Sequence, residues 1–499
     1  MADPEATQTQ PEGDDAPAKA PRSQRTRRIG IVVAAIALTA VATAGITALL
    51  ANIIERQGEA SDSYTKVVDL DDTIADPAVW GQNFPAQYEA FLRTSEMTAT
   101  VHAGSVQEAR TPSETDPRTV ISTSRIEEDP RLVTMWDGYP FSVDYRHARG
   151  HAYMLEDQRY TLRVQNFKQP GACLNCHAST VTIMDELGNG DRDAGFAAMN
   201  KMSYADASQL ADHPVSCIDC HDPQTMQLRI TRPAFEKGIT ALKKSEGVED
   251  YDVNRDATRQ EMRSYVCAQC HVEYYFEKET KELTFPWTKG LNIDDIWDYY
   301  LEDGHKDFTH ATTGAEIVKA QHPEFDIWSQ GIHADNGVSC TDCHMPYEAE
   351  GARKVTNHQI QSPMLNVNAS CMTCHHSTED EMKNRVVKIQ DQFIASRDVA
   401  FDSLVQLIAD LEKAQTDGTP AAAIDAAREF QNKASFYLDY VYSENSYGFH
   451  APAYIERIIA DSLDASRKGQ LVLKGVDPST FAPSEISQAN KQKIEEREA

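Results

Sequence analysis

The sequence predicts a mainly α chain with little β structure, in which one apolar helix precedes an irregular body and long helices follow it. Three observations predict it. An uncharged, mostly apolar run occupies 29–54, and apolar residues recur at helical spacing beyond 380. Between them lie short apolar runs broken by many Pro and Gly. That middle stretch also holds every cysteine of the chain, ten in all, in five copies of one pattern.

The pattern is C-x-x-C-H. Its copies are Cys173, Cys176 and His177; Cys217, Cys220 and His221; Cys267, Cys270 and His271; Cys340, Cys343 and His344; and Cys371, Cys374 and His375. This is the attachment pattern of a c-type haem, in which two thiols add to the porphyrin vinyl groups and the histidine reaches the iron. Paired zinc knuckles would leave one of five over and need no histidine after the second cysteine. A disulfide framework would not put His after every pair, and thioredoxin-like sites carry their pair once. Five covalently attached haem c groups are therefore expected, and the body is a multihaem cytochrome c fold, a chain wrapped around its haems.

Composition narrows the partners. The chain has 499 residues, enough for two or three domains, and carries 77 acidic against 48 basic residues, a net charge of −29. Phosphate binding needs a basic face, so nucleic acid is not expected as a partner. The acidity reads as a solvated surface, and an anionic substrate would need a locally positive route inward.

Taken in order, residues 1–28 read as a disordered cytoplasmic tail ending in Arg22, Arg25, Arg27 and Arg28. The run 29–54 is long enough as a helix to cross a hydrocarbon core of ~30 Å, and the flanking arginines favour a cytoplasmic N-terminus. It is longer than a secretory apolar core, so a retained transmembrane anchor is expected rather than a cleaved signal. Haem attachment takes place outside the cytoplasmic membrane, which makes the rest periplasmic or bound to the outer face. Residues 55–79 read as a polar linker and 80–380 as the haem-bearing catalytic domain. The first cysteines of the motifs follow no fixed period, so the body is not a solenoid. Val215-Ser216-Cys217 and Val338-Ser339-Cys340 open similar heptapeptides, too short to indicate duplication.

Residues 381–470 are read as a helical region. Met382, Val386, Ile389, Phe393, Leu404, Ile408 and Leu411 mark a long amphipathic helix, which Gly418 and Pro420 stop. Further helices are expected at 421–442 and 454–467, and 471–499 reads as a peripheral polar tail.

Eleven histidines lie outside the motifs, and composition does not select distal ligands among them. An ordered series of longer motifs does more. Arg149-Gly150-His151 precedes Thr161-Leu162-Arg163; Cys267 to Tyr275 reads C-A-Q-C-H-V-E-Y-Y; and Phe285-Pro286-Trp287 leads to Lys319-Ala320-Gln321-His322-Pro323-Glu324. Gly331-Ile332-His333, Asn357-His358 and Gly448-Phe449-His450 complete it. From about Trp80 to Glu456 the chain resembles the pentahaem, ammonia-forming cytochrome c nitrite reductases.

That resemblance implies roles. His151 is implied as distal ligand of the third-motif haem, His358 of the second, His333 of the fifth and His450 of the fourth. The first-motif haem is then open, with Arg163, Tyr274 and His322 as the catalytic set around it. One Ca2+ is implied beside it, held by the side chains of Glu273 and Gln321 and the main-chain carbonyls of Tyr274 and Lys319, hard oxygen ligands of the right kind. The resemblance further implies nitrite as substrate, a homodimer through the C-terminal helices, and a membrane-anchored quinol-oxidising multihaem cytochrome as electron donor. Many members carry lysine as proximal ligand of the active haem; this chain has His177, like a histidine variant of the family. Three other readings stand beside it: an electron-carrying cytochrome with all irons capped, a reductase of hydroxylamine or sulfite, and a membrane scaffold for redox partners.

Overall fold

The computed structural model describes residues 24–62, 66–96, 98–104, 106–351 and 353–498. Most of the tail expected at 1–28 lies outside them. The chain divides into two compact units, one up to Lys66 and one from Val67. In the first, a helix runs Gln24–Asp62, and within it Ile29–Thr47 is long and apolar enough to cross a membrane. No part of that segment is buried against protein.

The second unit starts earlier than the expected 80, so most of the supposed linker at 55–79 is packed or helical. The Asn83 side chain accepts from Val67 and Val68 N–H and donates to the Val68 carbonyl, closing this stretch onto the body. Leu70 is buried with Trp80, Val181 and Ile218. These backbone bonds have no signature in a polar, acidic composition.

The body is short helices joined by irregular chain. Its β structure, among the described residues, is four two-stranded antiparallel ribbons, the longest pairing Tyr347–Glu350 with Arg353–Thr356. One core packs Leu174, Met184, Phe196, Phe235 and Trp287 around the first and third motifs. A second core is shared between the body and the C-terminal helices, so no boundary falls at 380. Trp297 stacks on Phe436 at 5.5 Å, Tyr300 meets Phe436 edge-on, and the Lys319 ammonium pairs with Asp439 at 2.9 Å with both side chains buried.

The C-terminal helices run Glu379–Ala414, Ala421–Ser443 and Pro452–Leu473. Thr378 and Glu381 form a capping box at the start of the first, satisfying two of its orphan N–H groups. Ala400 and Phe401 fill the gap in the expected apolar series, and Gln390 rather than Ile389 is buried, its amide held by the Ser446 carbonyl. The third helix is longer than 454–467. Its Val472 is buried and Phe481 packs edge-on against Phe430, so the polar tail does not begin at 471.

Candidate haem cavity and active site

The motif residues sit on short helical turns. Leu174–His177, Cys217–Cys220 and Cys340–His344 are each about one turn, which brings two thiols and an imidazole to one side. The two similar heptapeptides share a mechanical cause. Asp219 accepts from Ser216 N–H at 2.8 Å and Asp342 from Ser339 N–H at 2.7 Å, so each is a capping box that opens the haem-bearing turn. The variable positions also tie motifs together. Buried Arg232 pairs with Asp219 at 2.9 Å and donates to the Asn175 and Ala178 carbonyls, while Gln269 Oε1 accepts from Thr231 and Arg232 N–H. The first, second and third motifs thereby meet at one buried segment.

A continuous cavity of about 2300 Å³ runs through the second unit, lined by every cysteine and histidine of the five motifs. All ten thiols are free of disulfides. Thiols of different motifs are neighbours in it, Cys176 of the first with Cys270 of the third and Cys267 of the third with Cys340 of the fourth.

Four pairs of imidazoles face each other across this cavity. Ring centres are 6.3 Å apart for His151 and His271, 6.2 Å for His221 and His358, 6.4 Å for His333 and His375, and 6.3 Å for His344 and His450. A metal bonded to both rings at ~2.0 Å, with ~1.1 Å from each nitrogen to its ring centre, needs a separation of about 6.2 Å. Donor set, spacing and free thiols together fit c-type haem. A left-handed glycine, Gly150 (φ 102°), turns the chain so that His151 opens the next helical turn.

His177 enters no such pair among the described residues; its Nδ1 faces the Met154 carbonyl at 3.2 Å. The charges that act on it include His322 and Arg163. The Arg163 guanidinium lies over the Phe141 ring at 4.2 Å, and Asp144 caps the turn that carries it by accepting from Thr161 Oγ1 and Leu162 N–H. Burial pushes the His322 imidazole down to about 4, with the nearby Arg163 and Lys319 cations acting in the same sense. Burial and the neighbouring thiols push the Tyr274 phenol well above its usual range, so it keeps its proton. Tyr139 also lines this part of the cavity, stacked on Phe308 at 4.6 Å, and is held protonated by burial. Sequence reasoning assigned Tyr139, Phe141 and Asp144 no role, because each looks like an ordinary core or surface residue.

The residues expected to hold calcium are beside this end of the cavity. Glu273 is fully buried; its Oε1 accepts from the Tyr300 hydroxyl at 2.8 Å and its Oε2 from Gln321 N–H at 2.7 Å. The Gln321 amide is 3.2 Å from the Lys319 carbonyl. Burial drives the Glu273 carboxyl well above the usual carboxylate range. A buried carboxylate beside an amide and a carbonyl is a fitting donor set for a hard cation. Only one acid belongs to it, and among the described residues no cluster of three His, Cys, Asp or Glu forms a metal site.

Four of the six remaining histidines have other partners. His147 Nε2 pairs with Glu128 at 2.8 Å and His102 with Asp391 at 2.6 Å. His310 bonds the Thr134 carbonyl, His305 faces Asp307, and His376 is exposed.

Comparison with known proteins agrees with this architecture. The family model described as cytochrome c552 matches residues 76–498. A cytochrome c-552 of Bacteroides fragilis is 34% identical over 435 residues, 86% of this chain and 83% of that protein. The cytochrome c nitrite reductase subunit NrfA of Nitratidesulfovibrio vulgaris is 34% identical over 414 residues, 77% of this chain and 76% of that protein. Among solved structures, the NrfA catalytic subunit of the Desulfovibrio desulfuricans cytochrome c nitrite reductase, for which two calcium sites are described, superimposes with a TM-score of 0.71 at 28% identity. That match covers 83% of this chain and 92% of that subunit. The chain belongs to the cytochrome c552 family, the family of the cytochrome c nitrite reductases.

Proposed function

We propose that this protein reduces nitrite to ammonium, taking six electrons and eight protons and releasing two waters, at the haem bound through Cys173, Cys176 and His177. One observation carries the reading. Four motif histidines each face a second imidazole at 6.2–6.4 Å, whereas His177 has none among the described residues. The charges of Arg163 and His322 act on it, and Tyr274 is near Cys173 and Cys176, which supports an open site there.

The haem iron, when bound, supplies the electrons and an open coordination position. The chain's own residues do the rest. Arg163, a permanent cation, draws the anion inward and holds its negative charge in an otherwise acidic protein. His322 rests neutral and offers an N–H to a substrate oxygen, and it takes up protons when the anion's charge arrives beside it. Tyr274 donates through its hydroxyl. Calcium held by Glu273, Gln321 and the Lys319 and Tyr274 carbonyls would fix Gln321 and its neighbour His322, and add positive charge to the pocket. His151, His358, His333 and His450, each opposite a motif histidine, would hold four further haems, which would supply storage and relay of electrons. The neighbouring thiols of the first and third motifs, and of the third and fourth, would put a third-motif haem between the other two.

The apolar Ile29–Thr47 segment and its basic flank support anchoring to the outer face of the cytoplasmic membrane. A quinol-oxidising multihaem cytochrome in that membrane is the fitting donor. Exposed Val399 on the Glu379–Ala414 helix is compatible with a homodimer through the C-terminal helices. The decisive experiment is anaerobic turnover with a reduced dye, comparing nitrite, hydroxylamine and sulfite with ammonium quantified. Ammonium formed from nitrite at the highest rate is expected; no turnover on any of the three would return the chain to the electron carriers.

A further inference from the structure

The ligand imidazoles differ in what stands behind them. His177, His221, His344 and His358 turn Nδ1 toward main-chain carbonyls, those of Met154, Met226, Gln361 and Thr356, at 2.8–3.2 Å. Two others face buried carboxylates. His271 Nδ1 is 3.6 Å from Glu324 Oε2, and His450 Nδ1 is 2.6 Å from Glu444 Oε1.

Both carboxylates are held from behind. Glu324 Oε1 accepts from Asn445 Nδ2 at 2.6 Å, and Asn445 Oδ1 in turn accepts from the buried Arg125 guanidinium at 2.8 Å. Glu444 accepts from Ser446 N–H at 2.9 Å and Ser446 Oγ at 2.7 Å. Neither Glu324 Oε2 nor His450 Nδ1 has a hydrogen-bond partner within the protein, so each carboxylate acts on its imidazole through proximity and charge. Burying a carboxylate is costly unless a specific partner repays it, so these placements ask for a reason.

We propose that Glu324 and Glu444 are redox-positioning residues that make the haems of the third and fourth motifs the low-potential members of the set. The negative charge of a carboxylate beside the Nδ1 side of an iron-bound imidazole would increase the basicity of the ring. The more basic ligand stabilises ferric over ferrous iron, and a carbonyl does this less because it carries no full charge. The third site adjoins the first, with Cys270 Sγ 3.8 Å from the Asn175 carbonyl, so an electron held there would move downhill onto the His177 site. This rests on the haem assignment under the proposed function, but not on the identity of the substrate.

The test is spectropotentiometry of the full-length holoprotein, each haem followed by electron paramagnetic resonance. In Glu324→Gln one couple should rise by at least tenfold in its one-electron equilibrium, about 59 mV, while the others hold. Glu444→Gln should raise a different couple, and Glu324→Asp should remain near wild type. Couples that stay put in both glutamine variants, or that all shift together, overturn the proposal. If Glu324→Gln does not acquire its full haem, Asn445→Ala serves. There the carboxylate keeps its charge and loses a donor, so the same couple should fall; an unmoved or raised couple overturns the idea. Shifted couples in a protein that does not turn over nitrite would sink the functional reading and leave the tuning intact.

Discussion

Gly331 and His450 touch through their backbones. A Cβ on Gly331 would stand 2.1 Å from the His450 carbonyl oxygen, closer than real side chains come. The glycine is therefore what lets the turn bearing His333 lie against the segment bearing His450, and the fourth and fifth haem sites share this one contact. Gly331→Ala should disturb two haems together. The expected outcome is loss of two six-coordinate low-spin signals, with a stability loss on the order of 1–3 kcal/mol as in other overpacked sites. Resonance Raman of the ferric protein and thermal unfolding measure both.

Haem stoichiometry follows from the ten free thiols lining one cavity. The denatured, fully matured protein should retain its haem, with a mass above the polypeptide by five haem groups. Intact-mass spectrometry reading four or fewer would remove the five-site assignment.

The His177 haem should behave unlike the rest. One iron in the oxidised protein should be spectroscopically distinct from four bis-histidine irons, and cyanide should bind it alone. Five identical bis-histidine spectra without a cyanide response would mean that all irons are capped.

Arg163→Ala, His322→Ala and Tyr274→Phe should each lower nitrite turnover by roughly 10²-fold or more, the usual loss for an acid–base or charge-stabilising group. Each variant should keep all five haems. Wild-type rates in all three would refute the pocket.

Calcium should matter in a pH-dependent way. Burial raises the Glu273 carboxyl well above the ordinary range, so protons compete for the atoms that would bind the cation. Affinity should fall as pH falls and recover as it rises. Glu273→Ala should abolish calcium binding and reduce turnover without loss of haem. Equilibrium dialysis against calcium across the pH range, with metal analysis of the variant, checks this.

By itself the sequence determined what is written in a few consecutive residues. Two thiols and a histidine within five positions are enough to specify haem attachment, since that chemistry is local. Met382, Val386, Phe393, Leu404 and Ile408 are enough to specify a long helix, because its period lies along the chain. The apolar run near the N-terminus is legible for the same reason. Which imidazole faces which motif is not legible from spacing. His221 and His358, or His344 and His450, are brought to 6.2–6.3 Å only by the wrapping of the body. Those pairings were expected from resemblance to a family, and the geometry brings the same four together. The tertiary structure alone decided that 80–380 and 381–470 share a core, through Trp297 on Phe436 and Lys319 on Asp439. It also decided that Glu324 and Glu444 stand behind ligand imidazoles. In one dimension a buried, partnered carboxylate and a solvated one are the same letter, and only folding determines what surrounds it.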